Sequence, residues 1–460
     1  MSTTSTTTTL TPQEIVERTL AAGRHLLGCV VIVSETSEAV LRWANSTMTT
    51  NGSTLSSRVT VAALVDLPGG PAAGTVSLGE VVTDPARLVD LVAAAERSAR
   101  EAGPAKDAAP LPEPSAEDPG WGEPGARTSI AVYADLAEGL AEVLAGPARQ
   151  FGFADHSLTT SWLGTSTGVR RRWVQPTGSV ELNAKSADSS AWVGAATRDY
   201  TDVDVRALAA EADRRLAWSS RKVSLEPGRY ETLMPPSAVS DMLVYLGWSM
   251  EGRAAQEGHS AFTGRAAVGE RLTDLPLTLY SDPAEPGLEY EPVVIAGGGT
   301  AVFDNGAPTR RVEWIREGEV HELQYTRAEA AEFGTAFTPA GDNMILTGGS
   351  SASIEEMVAS TRRGLLLTCL WYIREVDPAT LLLTGLTRDG VYLVEDGEVT
   401  AEVDHNFRFN YSPLDMLRRT TEVGATAPAL PREWKDYFTR CRFPGVRIPD
   451  FRMSSVSLGR

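Results

Sequence analysis

The sequence predicts an α+β protein in two parts. An N-terminal domain of helices and antiparallel strands spans residues 11–220. A β-rich, barrel-like C-terminal domain spans 221–460 and contains a central helix at 237–251. Three observations lead there. In the first part, amphipathic helical periods bracket runs of β-branched residues. Beyond about residue 270, short strands alternate with Gly, Pro and Asp turns, the texture of a sheet-rich domain. Between them lies PPSAVSDMLVYLGWSMEGRAAQEGHSAFTGR (235–265). Val239, Met242, Leu243, Leu246 and Met250 share one helical face, and Val244, Tyr245 and Trp248 cover much of the rest. A helix apolar nearly all round is expected at the centre of a core. Ser237 is the expected cap and Gly252 the expected stop.

The Ser/Thr-rich residues 1–10 are expected to be disordered. Thr11-Pro12-Gln13-Glu14 reads as a capping box opening a helix whose inner side is Ile15, Val16, Thr19 and Leu20. Strands follow at 29–35, 40–45 and 55–66, with Asn51-Gly52 as a turn. PARLVDLVAAAERSAREAG (85–103) is an amphipathic helix ending at glycine. The acidic, Pro/Gly-rich stretch 103–127 reads as a flexible loop. A helix at 128–150, with Ile130, Leu136, Leu140 and Leu144 apolar, precedes strands at 156–163, 169–175, 178–185 and 190–199 and a helix at 203–217. The order helix, strands, helix thus occurs twice, a candidate internal duplication. In the second part, strands are expected at 274–283, 292–306, 365–373 and 446–459. Hairpins are expected at 310–325, around Glu317-Gly318, and at 391–403. Helices are expected at 354–364 and 412–424.

At 460 residues, with 42% hydrophobic and 22% charged residues, the chain has the composition of a soluble multidomain protein. Its net charge of −18 argues against binding a phosphate backbone. Cys29, Cys369 and Cys441 are far apart and follow no CxxC spacing, so neither a disulfide framework nor a structural zinc is expected. The N-terminus lacks the basic and apolar regions of a signal peptide, and the longest apolar run (364–373) is too short to span a membrane. A cytoplasmic location is the default expectation.

The candidate chemistry is sparse. His321-Glu322 has no second histidine one turn on, sits in a predicted strand and reads as a polar pair at the surface. His259 reads either as a solvated loop histidine or as a residue beside a ligand channel. His25, His156 and His405 are scattered. Gly297-Gly298-Gly299 lacks the Lys-Ser/Thr of a phosphate loop and reads as a turn between strands. Ser260 and Cys369 are potential nucleophiles without a motif context. Trp248 reads as core in preference to a binding platform.

The central stretch resembles the central helix of the TldD/PmbA family of bacterial metallopeptidase subunits. In catalytic, TldD-type members that helix carries HExxxH, followed by a segment ending in TSAFAG. Here the matching residues are MLVYLGWSMEGR and GHSAFTG. Leu243 and Val244 stand where the first His and the Glu stand, and Trp248 stands where the second His stands. None of the three can ligate zinc or activate water. DNGAPTRRVEWIREGEV (304–320), TRDGVYLVEDGEVTAEV (387–403) and LRWANSTMTTNG (41–52) resemble further family segments in the same order. LLLTGLTRDG (381–390) departs from the family's G-D-F-S pattern and leaves the branch open. The resemblance implies a TldE (PmbA-type) subunit that binds no cofactor itself. A TldD-like partner would carry the zinc and the catalytic Glu, and the pair would hydrolyse unstructured peptides or mature peptide natural products. Glu251, His259, Ser260, Phe262 and Arg265 then become candidates for the peptide channel or the subunit interface. The rivals are a homodimeric peptide-binding protein and a metal-independent enzyme using Ser260, Cys369 or His259. No nucleic acid or membrane partner is expected.

Overall fold

The computed structural model describes residues 9–82, 84–114 and 118–457. Most of the Ser/Thr-rich tail, residues 1–8, lies outside them.

The N-terminal part is built on one antiparallel sheet. Helix α1 (Pro12–Ala22) opens with the expected capping box: the Thr11 hydroxyl accepts from the Glu14 amide, and the Glu14 carboxylate accepts from the Thr11 amide. The strands β1 (Gly28–Ala44), β2 (Thr47–Leu67) and β3 (Gly70–Leu78) follow, then α2 (Ala86–Ala102). A 3-10 turn (Ile130–Tyr133) leads into α3 (Ala134–Leu144), followed by β4 (Arg149–Thr165), β5 (Arg170–Lys185), β6 (Ser190–Thr197) and α4 (Val205–Trp218). The sheet order is β3-β2-β1-β4-β5-β6. It is symmetric about the β1/β4 pair, where Val30–Trp43 runs against Thr165–Gly152. The helix–three strands–helix unit therefore occurs twice, back to back.

Four local expectations change, the first being that the strands expected at 169–175 and 178–185 are one, β5. The segments 29–35 and 40–45 are one strand, because the polar stretch Ser34–Glu38 pairs with β2 on one side and β4 on the other. Asn51-Gly52 lies inside β2, opposite Leu41 and Val40. The turn is instead Asn45-Ser46, whose φ values of 52° and 57° are those of a type I′ hairpin. The helix expected at 128–150 stops at Leu144, since Arg149 and Gln150 are already paired with Lys185 and Ala184. The described residues of the acidic loop are tied to the sheet. Gln13 Nε2 donates to Trp121 O at 2.7 Å, and the Ala126 amide donates to Thr160 Oγ1 at 2.9 Å.

The C-terminal part is a mixed sheet centred on the strand Cys441–Ser457. That strand pairs antiparallel with Gly228–Met234, Asn406–Tyr411 and Glu422–Ala429, and parallel with Met344–Thr347. Helix α5 (Pro236–Trp248) packs on it. Leu243, Val244 and Leu246 are fully buried in one core with Leu365, Leu367, Phe443 and Ile448. This is the centrally buried helix that its composition predicts. The hairpins at Glu317-Gly318 and Asp396-Gly397 are present, with positive φ at all four residues. Ser237 is not the cap: the N-cap is Pro235, without a side-chain hydrogen bond.

Other expectations fail in this half. The single strand expected at 365–373 is two strands, Arg363–Leu367 and Leu370–Asp377. The helix expected at 412–424 ends at Arg419, before a strand begins at Glu422. Gly252 does not end the central helix; α5 closes at Ser249, and Gly252 begins a short helix, Gly252–Gln256. Glycine is required there by a close approach, because a Cβ would lie 2.2 Å from ring carbons of Tyr325. Residues 292–306 are not a strand but a loop with a 3-10 turn at Thr300–Asp304. The buried Asn305 side chain accepts from the Ala296 amide at 2.8 Å and donates to its carbonyl at 2.9 Å. This local pairing replaces a sheet ladder. Gly297, Gly298 and Gly299 sit exposed in that loop and not between strands.

Candidate functional site

The two ends of α5 have different surroundings. Near its start, Asp241 is buried among apolar side chains. Its Oδ1 accepts from the Glu433 amide at 2.9 Å, and its backbone carbonyl accepts from Trp434 Nε1 at 2.7 Å. Its Oδ2 has no hydrogen-bond partner. Burial, reinforced by the nearby Glu433 carboxylate, pushes the Asp241 carboxyl well above its usual range. Glu433 in turn accepts from the Tyr372 and Ile373 amides, at 2.9 and 3.1 Å. The helix thus clamps the segment 432–434, and that segment holds the strand Leu370–Asp377.

At its other end α5 reaches the surface. Trp248 is 42% exposed and contacts Trp434 edge-to-face, with ring centroids 5.2 Å apart; Tyr245 lies 5.7 Å from Trp434 and 6.3 Å from Trp248. Tyr245 and Trp248 form one wall of a pocket of about 310 Å³, with Trp434 packed behind them. The other lining residues include Glu251, His259, Ser260 and Glu375. Four residues singled out in the sequence therefore meet in one place. Phe262 does not join them; it is buried in the core. The side chain of Arg265 lies outside the described residues. Trp248 is a rim residue and not core, because α5 ends just as it clears the sheet.

The candidate nucleophiles are not activated. The Ser260 hydroxyl accepts from the Phe262 amide at 3.1 Å, which fixes the loop. His259 is mostly exposed, and its nearest charged neighbour is Glu257 at 3.8 Å. Cys369 is buried, and burial pushes its thiol up to about 12, which keeps it protonated at neutral pH despite the Arg432 guanidinium at its sulfur. Burial raises the Cys441 thiol as well. Among the described residues no three His, Cys, Asp or Glu side chains stand close enough to hold a metal ion.

Residues 227–455 match the PmbA/TldA metallopeptidase C-terminal domain. Residues 227–455 are thus a domain of the PmbA/TldD family. The likeness of fold runs further. The crystal structure of TldE from Thermococcus kodakarensis superposes with a TM-score of 0.75 at 16% identity, over 96% of this chain and 100% of that one. A proposed modulator of a DNA gyrase from Thermotoga maritima superposes with a TM-score of 0.72 at 17% identity, over 96% and 99% of the two chains. A protein described the same way from Bacteroides thetaiotaomicron gives 0.72 at 14% identity, over 96% and 98%. No curated protein matches the sequence.

In this PmbA/TldD domain, α5 is the helix that resembles the family's zinc helix. Its residues do not fit the metal. Leu243 and Val244 are fully buried hydrocarbons, and Trp248 turns its ring to Trp434. The sequence reading missed the Asp241–Glu433–Trp434 clamp. The available signal was a single carboxylate inside an otherwise apolar helical run, since a buried charge demands partners.

Proposed function

We propose that this chain is the subunit without a zinc site in a TldD/TldE-type peptidase, acting with a zinc-bearing TldD-like partner on unstructured peptides. One observation carries the reading: on the helix resembling the family's zinc helix, two of the three motif positions are core hydrocarbons and the third is an indole set edge-to-face against Trp434. The chain's own contribution is then binding and enclosure. The Trp248/Tyr245 wall offers flat apolar surface to a peptide side chain, with Glu251 and Glu375 among the polar lining. An extended peptide held by backbone pairing fits a substrate class defined by lack of structure and not by sequence. The reading of a metal-independent enzyme is weakened by the occupied Ser260 hydroxyl and the protonated Cys369.

Two structural relatives are described as modulators of a DNA gyrase. The charge of −18 on this chain opposes direct contact with DNA. No described helix is long and apolar enough to cross a membrane.

The test is co-purification with a TldD-type subunit, followed by zinc analysis and cleavage of an unstructured peptide by each chain alone and by the mixture. Zinc and chelator-sensitive cleavage in the mixture, with neither in this chain alone, is the expected result. Zinc on this chain alone, or cleavage without the partner, overturns the proposal. Peptide affinity without cleavage in any mixture favours the homodimeric binding protein.

A further inference from the structure

A second pocket, of about 320 Å³, lies between the loop containing Tyr290–Asp304 and the segment 337–342. Its walls include Val293 and Phe337, and three carboxylates, Glu291, Asp304 and Asp342, line it. Two of these are already neutralised. Asp304 accepts from Arg327 Nε at 2.9 Å, and Asp342 is paired with Arg440. Among the described residues no basic side chain forms an ion pair with Glu291. Burial, and then the neighbouring Asp342 charge, raise its carboxyl above the ordinary range.

Independently of the carboxylates, the Tyr290 side chain is 2% exposed, and its hydroxyl has no hydrogen-bond partner. It stands within electrostatic reach of three carboxylates, Asp342, Asp282 and Glu291, and of one cation, Arg310, whose effect is the smallest of the four. A buried hydroxyl without a partner loses its hydration without gaining a hydrogen bond in return. Among the described residues no protein group recovers this, and Tyr290 lines the pocket, so a ligand group is the natural complement.

We propose that this pocket binds a primary ammonium on a hydrocarbon arm, of the kind a lysine side chain of a peptide presents, with Glu291 and the Tyr290 hydroxyl as its acceptors. The chemistry selects among cations. A compact ammonium has three donors and suits one free carboxylate plus one hydroxyl. A planar guanidinium suits a bidentate carboxylate flanked by further acceptors. A divalent metal needs several converging oxygen ligands, and no such cluster is present among the described residues. The apolar walls match the methylene arm.

The cation site stands on the pocket's own chemistry; only its assignment to a peptide rests on the function proposed above. The test uses this chain alone, so it is read whether or not a partner yields peptidase activity. The probe is a fluorescent Ac-Ala-Ala-Lys-Ala-Ala amide, compared by anisotropy with the same peptide carrying norleucine or Nε-acetyl-lysine. The lysine peptide is expected to bind at least tenfold tighter than either analogue. Glu291→Gln is expected to abolish the difference, and Tyr290→Phe to reduce it, with thermal melts confirming that both variants are folded. If a variant fails to fold, the acetyl-lysine comparison decides on the unaltered protein. Equal binding of the three peptides, no binding of the lysine peptide, or a lysine preference that survives in Glu291→Gln overturns the proposal.

Discussion

The first turns of α5 and its last turn differ in what surrounds them, and the difference separates structural from functional positions on one helix. At the start, Asp241 and Leu243 are sealed in the core, and the carboxylate fastens a distant segment to the helix. At the end, Trp248 and Tyr245 stand at a pocket rim, backed by the Trp434 ring. Of the three positions that resemble zinc-motif positions, Leu243 and Val244 have been absorbed by the first environment and Trp248 by the second. The helix keeps its place through ordinary core contacts. Packing and one buried carboxylate hold it, and the exposed end remains available for a ligand.

The sharpest way to break this comparison is to write the motif back. The variant Leu243→His, Val244→Glu, Trp248→His places two polar groups in a dry core, one of them a carboxylate without a partner. Burying such groups costs several kcal/mol. We expect a protein that is insoluble, or that melts more than about 10 °C lower, with no bound zinc. A folded variant carrying one zinc per chain would show that this end of the core is open to rebuilding. Leu243→Ala tests the packing alone. Truncating a fully buried leucine should cost about 3 kcal/mol, read from urea unfolding. A loss near that of a surface change would contradict the burial.

Asp241 sharpens the comparison through pH. Its carboxyl is raised in the folded protein, so the native state binds the proton more readily than the unfolded chain does. The group therefore adds stability as pH falls through the raised value toward about 4, the unfolded carboxylate value, and costs stability as pH rises. Asp241→Asn keeps an acceptor for the Glu433 amide and removes the titration. Across that window the stability difference between wild type and variant should shift by an amount on the order of 1 kcal/mol per pH unit, read from melts at several pH values. A difference that stays constant with pH would show that the buried carboxyl is not raised.

Much of this was legible in the sequence, in proportion to how local the cause was. The capping box at Thr11–Glu14 and the turns at Glu317-Gly318 and Asp396-Gly397 depend on neighbouring residues, and they are where the pattern puts them. The burial of α5 follows from a periodicity that needs no knowledge of its neighbours. The failures have non-local causes. The Ser34–Glu38 stretch looks like a break until two strands pair with it. Gly252 looks like a helix stop until the Tyr325 ring is set against it. The same holds at the site. Glu251, His259 and Ser260 are close in the chain and meet in one pocket, whereas Glu375 and Leu381 reach it from far along the sequence. No single residue near α5 announces them.

The last turn of α5 should yield the smallest stability effects and the most specific functional ones. Trp248→Ala removes one edge-to-face contact at a half-open rim, worth about 1 kcal/mol. His259→Ala, at an exposed loop position, should change stability by less than about 0.5 kcal/mol. If the pocket holds substrate in the assembled enzyme, Trp248→Ala should still weaken peptide cleavage by the mixture with a TldD-type partner, chiefly through KM, while zinc content stays unchanged. His259→Ala should leave kcat intact, because no reacting group in this chain depends on that imidazole. The two variants therefore separate an apolar wall from a proton carrier. A collapse of kcat in His259→Ala with KM unchanged would transfer the chemistry to this chain. Wild-type cleavage by Trp248→Ala would move the substrate away from the end of α5.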